Sequence, residues 1–307
     1  MLLSSGSLLI SGSSLFLDGS LFLYGSSLFL SGSGGSLQLL SILSDDGDGN
    51  LDGHLLVEVH QSHILAHLLD VTHGDDLTVD VVTQLLQFLS HSSSVNSIGK
   101  NCHIHSNAVV SDIPQDLKFQ GEDTITIIGD GTTVRECATI HRGTASRGKT
   151  VVGNNCLIMA YSHVAHDCVL ANNIIMSNAV QVAGEVEIGD FAVLGGGTLV
   201  HQFTRIGPHV MIQGGSQVTK DLPPFSLIGR NPICFEGVNA VGLRRRGFTL
   251  EQINAIQSVY RMFYQSKLNV APTIEKIIEE LPASRERDII TEFIAASTRG
   301  VVRSAVI

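Results

Sequence analysis

The residues best equipped for chemistry in this chain are His163-Val-Ala-His166-Asp167. A histidine titrates near neutrality, and a carboxylate beside it can hold the ring in one tautomer, which is the equipment of a general base. Taken alone, the same five residues also read as solvent-facing histidines on a turn. Counting forward by 18 from His166 gives Gly184 and then Gln202. If residues 18 apart stack, they form a column: a possible base, a backbone N–H that no side chain shields, and an amide. Acyl transfer needs such a set, one group to deprotonate a hydroxyl and one donor for the developing oxyanion. A metal site competes for the same histidines, with His141, His163, His166 and His201 as ligands. The His-x-x-His spacing and the lack of a suitably near cysteine argue against it, so no metal is expected. Gly242-Leu-Arg-Arg-Arg-Gly247 gathers three guanidinium groups in an acidic protein. It reads either as a solvated turn entering a helix or as a dock for phosphate or an acidic carrier protein.

Stacking at 18 follows from a repeat of six. Aliphatic residues fall at Val152, Ile158, Val164, Leu170, Met176, Val182, Ile188, Leu194, Val200, Ile206, Ile212 and Val218 without a break. The same phase holds earlier, at Ile98, Ile104 and Val110 and at Ile128, Val134 and Ile140. A helix would space them by three and four, and a plain strand by two. A period of six fits a β-solenoid in which each short strand sends one aliphatic side chain inward before a tight turn. Three hexads close a triangular coil, and adjacent coils lie about 4.8 Å apart. Two segments interrupt the pattern, 111–127 with Pro114-Gln-Asp-Leu-Lys118 and the polar, glycine-rich 141–149. Each reads equally as a tolerated insertion or as a loop that carries binding residues.

After Val218 the repeat stops at Asp221-Leu-Pro-Pro224, and the rest is expected to be helical. Thr249 and Gln252 form a capping box ahead of an amphipathic run from Leu250 to about Lys267. Pro272 is expected to precede a second helix near Thr273–Leu281, and Ser284 to open a third reaching about Thr298.

Composition narrows the function classes. Net charge of −10 argues against general nucleic-acid binding. Five cysteines without a C-x-x-C pair indicate neither a disulfide framework nor a zinc ribbon, and suit a reducing compartment. No apolar run reaches membrane-spanning length, so stable membrane insertion is not expected. Every Lys, Arg, Pro and Cys lies at or beyond Lys100, while the first third is dominated by Ser, Gly, Leu and Asp. That segment reads as a low-complexity strand array, from its Ser-Leu-Phe-Leu alternation, or as a mistaken reading frame or misplaced start site joined to a real gene. A signal peptide fits less well, since Met1 to Ile10 has the apolar run without a positive n-region. Of the first two, the second reading is preferred, and the segment is assigned no function.

Ile113-Pro-Gln-Asp-Leu-Lys-Phe119, Ile140-His-Arg-Gly-Thr144, His163-Val-Ala-His-Asp167, Val200-His-Gln-Phe203, Lys220-Asp-Leu-Pro-Pro224, Asn239, Gly242-Leu-Arg-Arg-Arg-Gly-Phe248 and Ser297-Thr-Arg-Gly300 occur in that order. Together they resemble the UDP-N-acetylglucosamine O-acyltransferases across residues 98–303. The resemblance implies a mainly β fold: a left-handed parallel β-helix followed by a small C-terminal α-helical bundle, assembled as a homotrimer with active sites between subunits. It implies transfer of an (R)-3-hydroxyacyl chain from acyl carrier protein to the 3-hydroxyl of UDP-N-acetylglucosamine, the first step of lipid A biosynthesis. Such an enzyme is cytoplasmic in a Gram-negative bacterium and needs no cofactor beyond the phosphopantetheine arm of the carrier. Carried over by position, His166 is the general base, Asp167 orients it, and the N–H of Gly184 serves the oxyanion. Asp116, Lys118, His163 and Gln202 are implied to hold the sugar, and Asn239, Arg245 and Arg246 the nucleotide phosphate and carrier. Met211 and Gly214 are implied to line the acyl groove, with Gly214 leaving room for a longer chain.

Two departures stand out. Glu185 follows the oxyanion glycine where familiar members often carry His, and residues 1–97 match nothing of the family. The chain therefore divides into an anomalous segment 1–97, a hexapeptide-repeat acyltransferase domain 98–224 and a C-terminal helical domain 225–307. Loss of the first coils is expected to leave the solenoid's start with bare strand edges and apolar core. The alternative functions are a related hexapeptide acyltransferase with another acceptor, or a non-catalytic β-solenoid that only binds or scaffolds.

Overall fold

The computed structural model describes residues 97–305 and, before them, the strands Leu9–Ile10, Ser13–Ser14, Gly19–Tyr24, Ser27–Gly32, Gly35–Asp45 and Leu51–His60. The last four of these pair antiparallel in chain order, and the first two pair with each other. The remainder of the 1–97 segment, apart from Ser97, lies outside the described residues, as do 306 and 307.

From Ser97 the hexads become short strands that stack, parallel, into three sheets. One face stacks Ser97–Ile98, Ile125–Ile128, Lys149–Val152, Val169–Leu170, Glu187–Ile188 and Arg205–Ile206. The second runs from His103–Ile104 up to Met211–Ile212, and the third from Val109–Asp112 up to Gln217–Val218. The chain forms a left-handed parallel β-helix. Register follows the numbering: Val164 pairs with Val182, Val182 with Val200, and Val200 with Val218. Both loops enter as whole hexads, since Ile128 pairs with Val152 across 24 positions and Ile98 with Ile128 across 30. The stack therefore resumes in phase after each.

The core is denser than one aliphatic per hexad. The phase residues Val152, Ile158, Val164, Leu170 and Met176 are buried, and so is a second position four residues after each: Cys156, Ser162, Cys168, Ile174 and Val180. Small or β-branched groups suit this second position because it points into the corner of the triangle. Burying each larger aliphatic contributes about 1.5–3 kcal/mol. One turn residue in each hexad is left-handed, at Asn155, Tyr161, Asp167, Asn173, Ala179 and Glu185 among others, all with φ between 53° and 60°. That conformation is uncommon for a side chain other than Asn, Asp or Gly, and here the pairing on both sides of each turn imposes it.

The solenoid starts bare among the described residues. Ile98, Ile104 and Val110 are half-buried, whereas Ile128, Val134 and Ile140 one coil above are shielded. At the other end it does not stop at Val218. Ser226–Gly229 stacks parallel on Met211–Ile212 and turns antiparallel into Cys234–Val238, so the stretch expected to be all helical begins with a strand pair. Four helices follow: α1 Ala240–Arg245, α2 Leu250–Gln265, α3 Val270–Glu280 and α4 Arg285–Ala295. The capping box of Thr249 and Gln252 is formed, and Ser284 caps α4. Pro272 lies inside the first turn of α3 rather than before it. A missing N–H is tolerated there because that donor has no intrahelical partner. Ser297 Oγ donates to Asp221 Oδ2 at 2.6 Å, and Tyr260 donates to the Pro224 carbonyl, which ties the bundle to the last turn.

Candidate active site

The corner where the third face turns into the first carries the chemistry. Val164 points inward and is fully buried, which turns His166 outward with 19% of its side chain exposed. Its Nδ1 lies 2.8 Å from Asp167 Oδ2. A carboxylate only accepts, so Nδ1 donates, and in the neutral ring it is the outward Nε2 that carries the lone pair. Asp167 has no exposure at all.

The 18-residue column exists. A Cβ built on Gly184 would lie 2.6 Å from both Cε1 and Nε2 of His166. Glycine is thus required by close approach to the ring. The neighbouring amides are engaged, Ala183 N–H with the Val200 carbonyl and Glu185 N–H with the His166 carbonyl. That of Gly184 has no acceptor among the described residues. A donor free beside an imidazole lone pair is the geometry an oxyanion site requires. His166, Gly184 and Gln202 line one cleft of about 380 Å³, together with His163, Gln181 and Gln115. The 111–127 loop reaches this cleft: Asp116 Oδ2 lies 4.0 Å from His166 Nε2, and the Lys118 N–H donates to Asp116 Oδ1 at 3.0 Å. The Lys118 residue is exposed to solvent.

Behind the base, His163 Nδ1 lies 2.7 Å from Thr139 Oγ1, and its ring meets His141 edge-on at 4.9 Å. Burial, followed by the nearby His141 and His166, pushes His163 down to about 4. Burial also lowers His141. His209, at a different corner, is lowered to about 4 by burial and then by Arg246. These rings resist protonation in the fold, whereas in the unfolded chain they take a proton near pH 6.5. The unfolded state therefore binds more protons between about pH 6.5 and about pH 4, and stability is lost as pH falls through that window. The expected result is a thermal midpoint that drops on acidification across this range, with a shallower slope in His163→Gln. An identical slope in wild type and variant would remove His163 as a source. Among the described residues no three His, Cys, Asp or Glu side chains gather as a group that could hold a metal.

Residues 221–302 match the family model described as UDP N-acetylglucosamine O-acyltransferase, domain 2. A relative from Burkholderia orbicola (strain MC0-3), named acyl-[acyl-carrier-protein]–UDP-N-acetylglucosamine O-acyltransferase, is 43% identical over 211 residues, spanning 67% of this chain and 80% of the relative. The chain belongs to the UDP-N-acetylglucosamine O-acyltransferase family. A second relative of that name, from Stutzerimonas stutzeri (strain A1501), is 41% identical over 207 residues, with 67% of this chain and 80% of the relative covered. The crystal structure of a UDP-N-acetylglucosamine acyltransferase from Bacteroides fragilis 9343 superposes with a TM-score of 0.67 at 46% identity, covering 69% of this chain and 85% of that one. The family consists of enzymes, acyltransferases by name.

Not every residue matched to this O-acyltransferase family falls in the cleft. Met211 lies on the second face and Gly214 at the corner that follows it, where a Cβ would sit 3.0 Å from the Gly196 carbonyl oxygen. Asn239 caps α1: its Oδ1 accepts from Gly242 N–H at 3.1 Å and its Nδ2 donates to the His209 carbonyl at 3.0 Å. Both ends of that amide therefore serve the fold. The arginine run is the last turn of α1 and its cap, neither a plain turn nor a loop. Arg245 is exposed, while Arg246 stacks over Phe191 at 5.3 Å, and burial lowers its pKa. A single chain thus distributes the matched residues over three corners of the triangle.

Sequence reasoning missed the residues that hold Asp167. Thr144 and Arg147, from the glycine-rich interruption, both donate to its carboxylate, and Thr150 Oγ1 accepts its N–H at 2.8 Å. The signal was Ile140-His-Arg-Gly-Thr144, whose threonine had no assigned task.

Proposed function

We propose that this protein acylates UDP-N-acetylglucosamine, taking an (R)-3-hydroxyacyl chain from acyl carrier protein and placing it on the sugar 3-hydroxyl, as the first step of lipid A synthesis. The observation that carries this reading is the free Gly184 N–H beside the outward Nε2 of an Asp167-bound His166. Nε2 takes the proton of the sugar hydroxyl as its oxygen attacks the thioester carbonyl. The carbonyl oxygen gains negative charge and is met by the Gly184 N–H. Collapse breaks the C–S bond, and the imidazolium returns its proton to the departing phosphopantetheine thiolate. Asp116, Lys118, His163 and Gln202 hold the sugar, Arg245 and Arg246 meet phosphate and carrier from the helix that Asn239 caps, and Met211 and Gly214 line the acyl groove. No further cofactor enters this chemistry.

A homotrimer supports this division of labour, because a threefold axis along the solenoid brings one chain's corner against a neighbour's face. Leu199, which lines the cleft, and Leu117, in the loop whose Gln115 lines it, are exposed in the single chain at 47% and 106% and suit such a contact. No helix among the described residues is long and apolar enough to cross a membrane. Work in the cytoplasm follows from the use of acyl carrier protein as donor. The test is acyl transfer from 3-hydroxyacyl carrier proteins of several chain lengths, with the mass in solution measured in parallel. Acylated UDP-N-acetylglucosamine from a trimer is expected. Transfer to a different acceptor sugar, or full activity in a stable monomer, would overturn the acceptor or the assembly respectively.

A further inference from the structure

Asp167 is a carboxylate with no solvent exposure, so the protein itself must supply every donor that stabilises it. The loop between Thr139–His141 and Lys149–Val152 does so. Thr144 donates its N–H to Oδ1 at 3.0 Å and to Oδ2 at 3.1 Å, and its hydroxyl to Oδ2 at 2.6 Å. The Arg147 N–H donates to Oδ1 at 3.1 Å. Oδ2 meets three donors, the Thr144 N–H, the Thr144 hydroxyl and the His166 Nδ1–H at 2.8 Å, so two of the three bonds that fix its place come from Thr144. The direction in which His166 is held is thus set by where Thr144 sits.

Thr144 is itself held. Its hydroxyl accepts from Ser146 N–H at 3.2 Å, its carbonyl from Gly148 N–H at 2.8 Å, and the preceding Gly143 carbonyl accepts from Thr124 Oγ1 at 2.6 Å. It is 7% exposed, does not line the cleft, and has its hydroxyl and N–H turned onto Asp167. The same loop reaches the oxyanion side, because the Arg147 guanidinium lies 2.9 Å from Glu187 and 3.8 Å from Glu185, the neighbour of Gly184.

We infer that Thr144 is a positioning residue of the reaction, fixing the Asp167 carboxylate and through it the His166 ring without touching substrate. The inference rests on the acyl-transfer reading with His166 as base. In the full-length protein, Thr144→Val keeps the shape and removes the hydroxyl. It is expected to lower kcat by roughly 10- to 100-fold, as a misdirected catalytic group does. KM for UDP-N-acetylglucosamine should stay within about twofold, and Thr144→Ser should restore most of the rate. In an Asp167→Asn background the same Thr144→Val change should have little further effect, since the residue acts through Asp167.

A readout free of activity is the Nδ1–H proton resonance of His166 in isotope-labelled protein, expected in wild type and in Thr144→Ser and lost or broadened in Thr144→Val. If Thr144→Val does not fold, Thr144→Ser and Thr144→Ala carry the same comparison. Wild-type kcat in Thr144→Val, an unchanged resonance, or an equal further loss without Asp167 would each overturn the positioning role. Wild-type protein that fails to acylate UDP-N-acetylglucosamine, or a fully active His166→Ala, would instead overturn the acyl-transfer reading.

Discussion

His166→Ala is expected to lower acyl transfer by between about 100- and 10,000-fold, the range that a positioned general base contributes. The fold should be untouched. His166 lies on the outer side of its turn, and the inward positions of that hexad are Val164 and Cys168, both fully buried and left intact. KM for UDP-N-acetylglucosamine should change little, because the Nε2 proton transfer belongs to the transition state. The measurement is initial rate against substrate concentration, with circular dichroism to verify the β-helix. A variant within a few-fold of wild type would remove His166 as the base, and with it the role given to Asp167.

Gly184→Ala comes next in size and tests the other half of the site by geometry alone. The added Cβ would stand 2.6 Å from two atoms of the His166 ring, inside van der Waals contact. Either the ring swings away from its bond to Asp167 or the turn carrying the Gly184 N–H shifts. Both displace a reacting group, and a misplacement of about 1 Å costs on the order of 100-fold in rate. The backbone of Gly184 is not among the left-handed glycines, so alanine fits its conformation and folding should survive. A loss of at least that size is expected, with circular dichroism still showing the β-helix. Near-normal turnover would mean that the column stacks without catalytic consequence.

The repeat was legible from single residues because a solenoid is nearly one-dimensional: each coil contacts only its neighbours, so sequence spacing translates directly into spatial stacking. Val164, Val182 and Val200 therefore predicted their own pairing, and His166 over Gly184 followed from the same count. The capping box of α2 was readable for a similar reason, its partners being three residues apart. The strand Ser226–Gly229 was not, because it joins the stack by pairing with Met211–Ile212 after the hexad count has been broken by Asp221-Leu-Pro-Pro224. Pro272 by itself does not tell a boundary from a first-turn position, since the difference depends on which N–H groups the helix leaves unpaired.

By itself the sequence determined the coil, the face from which each hexad's aliphatic points inward, and the pairing of a histidine with a glycine one coil above, because all of these are periodic. Only the tertiary structure decided what the two loops do. The 111–127 loop brings Asp116 to within 4.0 Å of the base, and the 141–149 loop folds Thr144 and Arg147 onto a buried Asp167. It likewise decided that Asn239, Arg246 and Gly214 occupy other corners than His166, and that Met211 lies on the second face. The physical reason is that a loop leaves the repeat and its contacts are chosen by three-dimensional closure, by which buried carboxylate lacks donors and which backbone N–H groups are free to supply them.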